Sequence, residues 1–267
     1  MTQTAERKTI FITGGASGIG LATAKLFAAK GWFVGLGDID QAGLDAAVKA
    51  LGTDNAMSAH LDVRHRADWT SALAAFEKAT GGRMDALMNN AGIARYGWFE
   101  DIAPDESELE IDINIKGVIN GAYAGLEALK RTPGSALINV SSCAGLYGPS
   151  KLAVYAATKF AVRGLSESLD VEFSRHGVKV RCIMPWFVET PILDAGARGT
   201  NEAIREVLKS GKLPVYTVEE AAQVVWDSLS SNELHLLVGK RAKDLRFAAR
   251  FFPGGIRKQM KAGLAAT

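Results

Sequence analysis

Residues 142–159, SCAGLYGPSKLAVYAATK, hold a serine, a tyrosine thirteen positions on, and a lysine four after that. Tyr155 and Lys159 sit at i and i+4 in a run, 154–169, whose pattern predicts a helix, so the two side chains share one face. A free phenol titrates near ~10 and is a poor base at neutral pH. An ammonium beside it favours the phenolate and lowers that value. Such a pair can give a proton to a carbonyl oxygen or take one from an alcohol. Ser142 follows an apolar segment, 136–140, that reads as a buried strand, so its hydroxyl can meet the phenol at that strand's C-terminal edge. The spacing alone fits two exposed helix residues better, and the rest of the chain has to decide.

The elements that must position these groups follow a regular order. Residues 9–13 form a short β-branched run that ends at Gly14 and Gly15. Gly18 and Gly20 come next, and then a helical period over 21–30. Strand, glycine turn and helix are what a dinucleotide pyrophosphate needs: close backbone approach, then a helix N-terminus with unpaired N–H groups. A second apolar run, 32–37, ends at Asp38, eighteen residues after Gly20. An acid at about that distance can bond the adenosine ribose hydroxyls and repels a 2′-phosphate. The other reading of Asp38 is a turn residue or the cap of a helix starting at 41. Further strands are predicted at 56–61, 85–88, 179–184 and 234–238, with helices at 66–80, 104–131 and 217–229 between them. Asn89, Asn90, Ala91 and Gly92 make a polar turn after the fourth strand, suited to a ligand or to a plain turn. Asn114 interrupts the 104–131 helix, either at its surface or buried for hydrogen bonding. Pro185 breaks the sixth strand, and 190–213 reads as a loop around a helical piece. This alternation predicts an α/β fold: one mostly parallel sheet, doubly wound, in a single domain spanning 1–267.

Composition narrows the class. The chain has 267 residues, 48% of them hydrophobic, enough for a large core. The net charge of +2 gives no reason to expect nucleic acid. Cys143 and Cys182 stand in apolar surroundings and read as reduced thiols of a cytoplasmic protein. The scattered histidines form no metal-binding pattern, so no metal is expected. The polar start MTQTAERKT lacks the apolar stretch of a signal peptide, and no segment approaches ~18 apolar residues in a row. Residues 240–267 carry eight basic side chains and one acid, a net +7 that leaves about −5 for the rest. Residues 241–252 read as a helix with Leu245, Ala248, Ala249 and Phe252 on one side, ended by Pro253-Gly254-Gly255. A solvated helix or a subunit contact is the usual meaning of such a tail; the alternatives are an anionic membrane surface and the phosphates of a carrier-linked substrate.

TGGASGIG at 13–20, Asp38, LDV at 61–63, NNAG at 89–92, Asn114, and Ser142, Tyr155 and Lys159 together resemble the classical short-chain dehydrogenase/reductase family, from about residue 8 to 238. The resemblance implies a Rossmann-type sheet of about seven strands and a homodimer or homotetramer formed through the two long helices. It implies Tyr155 as acid/base, Lys159 lowering its pKa and bonding the nicotinamide ribose, Ser142 orienting the reacting oxygen, and Asn114 holding a water. Gly14, Ser17 and Ile19, with Gly18 and Gly20, would form the pyrophosphate turn. Asp38 would bind the adenosine ribose, Asp62 and Val63 the adenine, and Asn90, with Ala91 and Gly92, the far ribose region. Val188 and Thr190, with Pro185, would meet the carboxamide. The cofactor implied is NAD rather than NADP, since residues 17 and 39 are Ser and Ile, not basic. The substrate would be an alcohol or ketone.

One departure stands out. Where the family has Pro-Gly, this chain has Pro185-Trp186. Trp186 either packs under the 190–213 loop or walls the substrate pocket. Tyr96, Trp98, Leu146 and Tyr147 are candidates to join it, and such walls suit an apolar or aromatic secondary alcohol of steroid, aryl or 3-hydroxyacyl type. A non-catalytic NAD-binding sensor or scaffold is the alternative function.

Overall fold

The computed structural model describes residues 7–196 and 203–264. The apolar runs form seven strands: β1 (Thr9–Thr13), β2 (Phe33–Asp38), β3 (Ala56–His60), β4 (Ala86–Asn89), β5 (Ala136–Val140), β6 (Lys179–Pro185) and β7 (His235–Val238). They pair in parallel in the order β3-β2-β1-β4-β5-β6-β7. The helices are α1 (Gly18–Ala29), α2 (Gln41–Leu51), α3 (Arg66–Thr80), α4 (Pro104–Ile111), α5 (Gly117–Arg131), α6 (Ala153–Ser174), α7 (Ile204–Ser210), α8 (Val218–Ser228), α9 (Lys240–Phe251) and α10 (Pro253–Leu264). The expected doubly wound, Rossmann-type α/β sheet is the one observed.

A parallel sheet must be covered on both faces, and strand alternation divides the core accordingly. Ile10, Ile12, Leu36, Met88 and Ile138 face a layer built from α1, α2 and α8. Phe11, Leu87, Leu137 and Val180 face α3, α5 and the end of α6. Under α1, Phe27 is fully buried and meets Trp32 and Trp226 edge-on, each at 5.0 Å between ring centroids, which locks α1 to α8.

The order of strands reverses at β1, which has β2 on one side and β4 on the other. That reversal opens a crevice at the C-terminal ends of the strands, where ligands bind in such sheets. Thr13 closes its floor: its Oγ1 accepts from the backbone N–H groups of Asn90 (3.0 Å) and Ala91 (3.1 Å).

Two features differ from the sequence-based expectation, the π-helical turn and the second tail helix. The 104–131 helix is not uniform: a π-helical turn, Asp112–Lys116, separates α4 from α5. The 190–213 stretch is, as expected, a loop around a helical piece, holding a short 3-10 turn, Pro191–Asp194, and α7. Its centre lies outside the described residues, as do the last three residues of the basic tail. Pro253-Gly254-Gly255 ends α9 as expected, but it also starts a second helix, α10, because proline lacks only an N–H that a helix's first position leaves unused. Among the described residues no helix is long and apolar enough to cross a membrane, and no cluster of His, Cys, Asp or Glu could hold a metal ion.

Replacing Phe27 by Ala should lower unfolding stability by about 3–5 kcal/mol. Denaturant unfolding monitored by tryptophan fluorescence measures it, and a loss below about 1 kcal/mol would show that the α1–α8 layer does not depend on this ring.

Candidate active site

The crevice is a cavity of about 970 Å³ running from the glycine turn, past Tyr155, to α9 and α10. Gly14 has φ +66°, and a Cβ there would stand 2.8 Å from Asn90 Nδ2. A Cβ on Gly20 would stand 2.1 Å from the Gly14 carbonyl oxygen. Both glycines are thus required by close approach, although Gly20 supports the turn from behind rather than lining the cavity. Ser17, Gly18 and Ile19 do line it. Ser17 caps α1 without a side-chain bond, and the first turn of α1 carries no acid, so its N-terminal N–H groups remain available to an anion. This turn fits a dinucleotide pyrophosphate.

Asp38 lies at the rim. Its Oδ2 accepts from Ala16 N–H and its Oδ1 from Asp40 N–H, each at 3.1 Å. The cap of α2 is Asp40, whose Oδ1 accepts from Gly43 N–H, so Asp38 is free of that duty. Asp62 and Val63 border the same end. The Arg64 guanidinium bonds the Asp62 carboxylate and holds its pKa below the usual range. Asn90, Ala91 and Gly92 also line the cavity, but the Asn90 amide is turned inward and donates to the Thr13 (2.9 Å) and Gly14 (3.3 Å) carbonyls. It braces the glycine turn through this amide. Pro185, Val188 and Thr190 form the opposite lip, and Thr190 packs on Gly18.

The chemical groups converge between β5 and α6. Ser142 caps a short 3-10 turn, its Oγ accepting from Ala144 N–H at 3.1 Å, and it also bonds the Tyr155 phenol. Lys159 is buried, with Nζ donating to the Val140 carbonyl at 3.1 Å and lying 5.5 Å from the centre of the Tyr155 ring. The sequence-based expectation was that Lys159 lowers the phenol's pKa. Burial dominates instead: it pushes Tyr155 up to about 12, against the Ser142 hydrogen bond, and Lys159 down to about 8. The phenol is therefore protonated at neutral pH and set up as a donor.

Asn114 is fully buried inside the π-helical turn. Its Oδ1 accepts from Ile93 N–H and its Nδ2 donates to the Ile93 carbonyl, both at 2.9 Å, with a third bond of 3.2 Å to Thr158 Oγ1. Asn114 does not line the main cavity. A Cβ on Gly92 would come within 3.1 Å of Asn114 Oδ1 and 3.5 Å of Lys159 Nζ, so the space beside Gly92 adjoins both.

Sequence reasoning missed the charges beneath this centre. Glu106 and Glu110 are both buried on α4, one turn apart. Arg95, which borders the cavity, places Nε 2.9 Å from Glu106 Oε1 and donates its backbone N–H to Glu110 Oε1 at 3.0 Å. Burial raises Glu110 to about 7, while Arg95 and Lys159 act in the opposite direction. The i, i+4 acids at the start of a helix were the available signal, and they read equally well as a solvated face.

The far end is apolar. Leu152, Leu193, Ile204 and Leu208 pack with Tyr96 and Phe187 into a third hydrophobic cluster that walls the cavity, and Leu245 and Met260 add the tail helices to it. Tyr96, Tyr147 and Trp186 line the cavity; Leu146 does not. Trp98 is also outside, under the Lys151 ammonium at 4.7 Å. Trp186 faces the cavity and is also tied to the segment that follows the loop. Its ring borders the cavity edge-on to Phe187, while Nε1 donates to the Pro214 carbonyl at 3.1 Å.

A sequence model of the family described as "short chain dehydrogenase" matches residues 8–200. The 3-alpha-(or 20-beta)-hydroxysteroid dehydrogenase of Mycobacterium tuberculosis is 40% identical over 188 residues, covering 70% of this chain and 71% of that protein. The 2,5-dichloro-2,5-cyclohexadiene-1,4-diol dehydrogenase of Sphingobium indicum is 38% identical, covering 69% and 74%. Among solved structures, 3-ketoacyl-(acyl-carrier-protein) reductase from Brucella melitensis complexed with NADH superposes with a TM-score of 0.78 at 27% identity, covering 89% of this chain and 99% of that one.

Glu110 makes the folded protein's stability depend on pH. The unfolded carboxyl releases its proton near 4.5 and the folded one near 7, so stability is full below about 4.5 and is lost as pH rises through about 7. The loss is at most about 3 kcal/mol. Glu110→Gln should flatten the melting temperature against pH across that window. A slope identical to wild type would show that Glu110 does not hold its proton.

Proposed function

The chain belongs to the short-chain dehydrogenase family, oxidoreductases that act on CH–OH groups with a nicotinamide cofactor, and from that premise we propose that it interconverts an apolar cyclic or aromatic secondary alcohol and its ketone using NAD(H). The observation that carries the reading is the placement of Tyr155, Ser142 and Lys159 midway along one cavity, with the glycine turn at one end and an apolar wall at the other.

The nicotinamide, when bound, supplies or accepts the hydride. The chain's own residues handle the oxygen and the proton. A carbonyl oxygen beside Tyr155 receives the phenolic proton as it gains negative charge, and Ser142 steadies that oxygen with a second hydrogen bond. Lys159 holds positive charge against the resulting phenolate, and the space beside Gly92, reaching Asn114, is suited to a water that returns the proton. In the oxidative direction the same phenol must first lose its proton, so that direction is favoured by alkaline pH.

Support for NAD over NADP comes from the Asp38 carboxylate, held by two backbone N–H groups at the adenosine rim, where a 2′-phosphate would meet like charge. The nearby cation, Arg64, is engaged by Asp62. Support for a cyclic substrate comes from the names of the similar dehydrogenases and from the rigid aromatic lip of Trp186, Phe187 and Tyr96. The sensor alternative gives no reason for a buried lysine behind an open apolar cavity. Exposed Tyr123 on α5 and Phe160 and Val171 on α6 fit pairing of subunits through these helices.

Two measurements test the reading. With a panel of cyclic, aryl and acyclic secondary alcohols, wild type should produce NADH, prefer NAD to NADP, and oxidise faster as pH rises. Tyr155→Phe should lose about 10²–10⁴ in turnover while still binding NADH. Full turnover by the phenylalanine variant would overturn the assignment. Trp186→Gly should change kcat/KM for cyclic relative to acyclic alcohols by about tenfold with little effect on NAD affinity. Equal losses on every substrate would remove Trp186 from the substrate wall.

A further inference from the structure

The α9–α10 hairpin has two unlike faces. The inner face carries fully buried Ala242 and sends Leu245 and Met260 into the cavity wall. The start of α9 is anchored, since the Arg241 N–H donates to the Tyr216 hydroxyl at 3.3 Å. The outer face holds Phe247, Phe251 and Phe252, which are 60%, 58% and 60% exposed. Their rings form a cluster, with Phe247 4.9 Å from Phe251 and 6.1 Å from Phe252 between centroids. Phe252, expected beside Leu245, therefore stands on the opposite side. All eight basic residues of the hairpin are exposed, Arg250 lies 5.9 Å from the centre of the Phe251 ring, and the single acid, Asp244, is bonded by Lys240 at 3.2 Å.

Water disfavours three contiguous exposed aromatic rings, and a patch of this kind marks a contact surface. The charge around it selects the partner. A second copy presenting the same face across a two-fold axis would bring a +7 segment against another +7 segment. A surface that is negative outside and apolar beneath satisfies both features together: phosphate groups meet the lysines and arginines, and the rings enter the acyl boundary. We propose that the outer face of this hairpin docks the protein on an anionic lipid bilayer. The binding is peripheral. The hairpin that meets the lipid is also the one that walls the cavity, so docking holds the far end of the cavity next to the bilayer. The docking itself does not depend on which alcohol is the substrate.

The full-length protein is mixed with phosphatidylcholine vesicles, with and without phosphatidylserine, and sedimented. The expected result is binding to the anionic vesicles only, weakened by salt, and reduced about tenfold or more in the Phe247→Ser/Phe251→Ser/Phe252→Ser variant. The variant should melt at the wild-type temperature, because the three rings are exposed. Three results would overturn the proposal. One is no vesicle binding by wild type. Another is binding that the serine variant retains in full, which would mean generic polyanion attraction. The third is a change of oligomeric state in that variant by light scattering, which would make the face a contact between copies of this chain.

Discussion

A lysine that is only 4% exposed, Lys159, is the constraint around which this site is arranged. Burying an unpaired charge costs several kcal/mol, so its surroundings have to supply compensation from fixed positions. The Val140 carbonyl at the end of β5 accepts from Nζ, and Ser141 Oγ donates to the Lys159 carbonyl, so strand and helix are tied at both ends of the residue. Glu110 contributes a favourable field from α4. Burial still wins and leaves Lys159 titrating near 8 and the phenol near 12. The phenol therefore keeps its proton at neutral pH, with the lysine beside it.

The two ends of the cavity are built by different means. The glycine-turn end is made of backbone: close approaches at Gly14 and Gly20, N–H groups at the start of α1, and the Asn90 amide bonded to the turn it faces. Such an end is rigid and recognises groups common to every dinucleotide. The other end is made of side chains from separate segments, held by ties such as Trp186 to Pro214 and Arg205 to both Glu189 and Asp194. Changing these residues alters the shape of the wall without disturbing the sheet, which is where one fold can serve different alcohols.

What the sequence made legible follows from what is local. The glycine spacing, the acid after β2, and tyrosine and lysine one helical turn apart all express geometry within about twenty residues, and the structure brings them to one crevice. Asp38 was ambiguous because a cap and a ribose ligand use the same carboxylate; Asp40, two residues on, turned out to be the cap. Glu106, Glu110 and Arg95 were not legible, since acids on a helix look solvated until a loop from another strand covers them. Leu146 was misplaced: it follows a 3-10 turn, and its neighbours Ala144 and Tyr147 line the cavity while it does not. Leu245 and Met260 could not be assigned to the cavity without knowing that the tail folds back over it.

The π-helical turn at Asp112–Lys116 has a geometric consequence of its own. An α-helix advances about 100° per residue, so one residue in excess shifts everything after it by that angle. On the near side of the turn the helix directs Glu106 and Glu110 toward the chemistry; on the far side it directs Gly121 and Gly125 onto Asn89 and Leu87 of the sheet. A uniform helix of this length could not keep both alignments. The turn acts as a phase slip placed at Asn114, and removing a single residue from it would restore an even winding while rotating one of the two halves out of register with its partner.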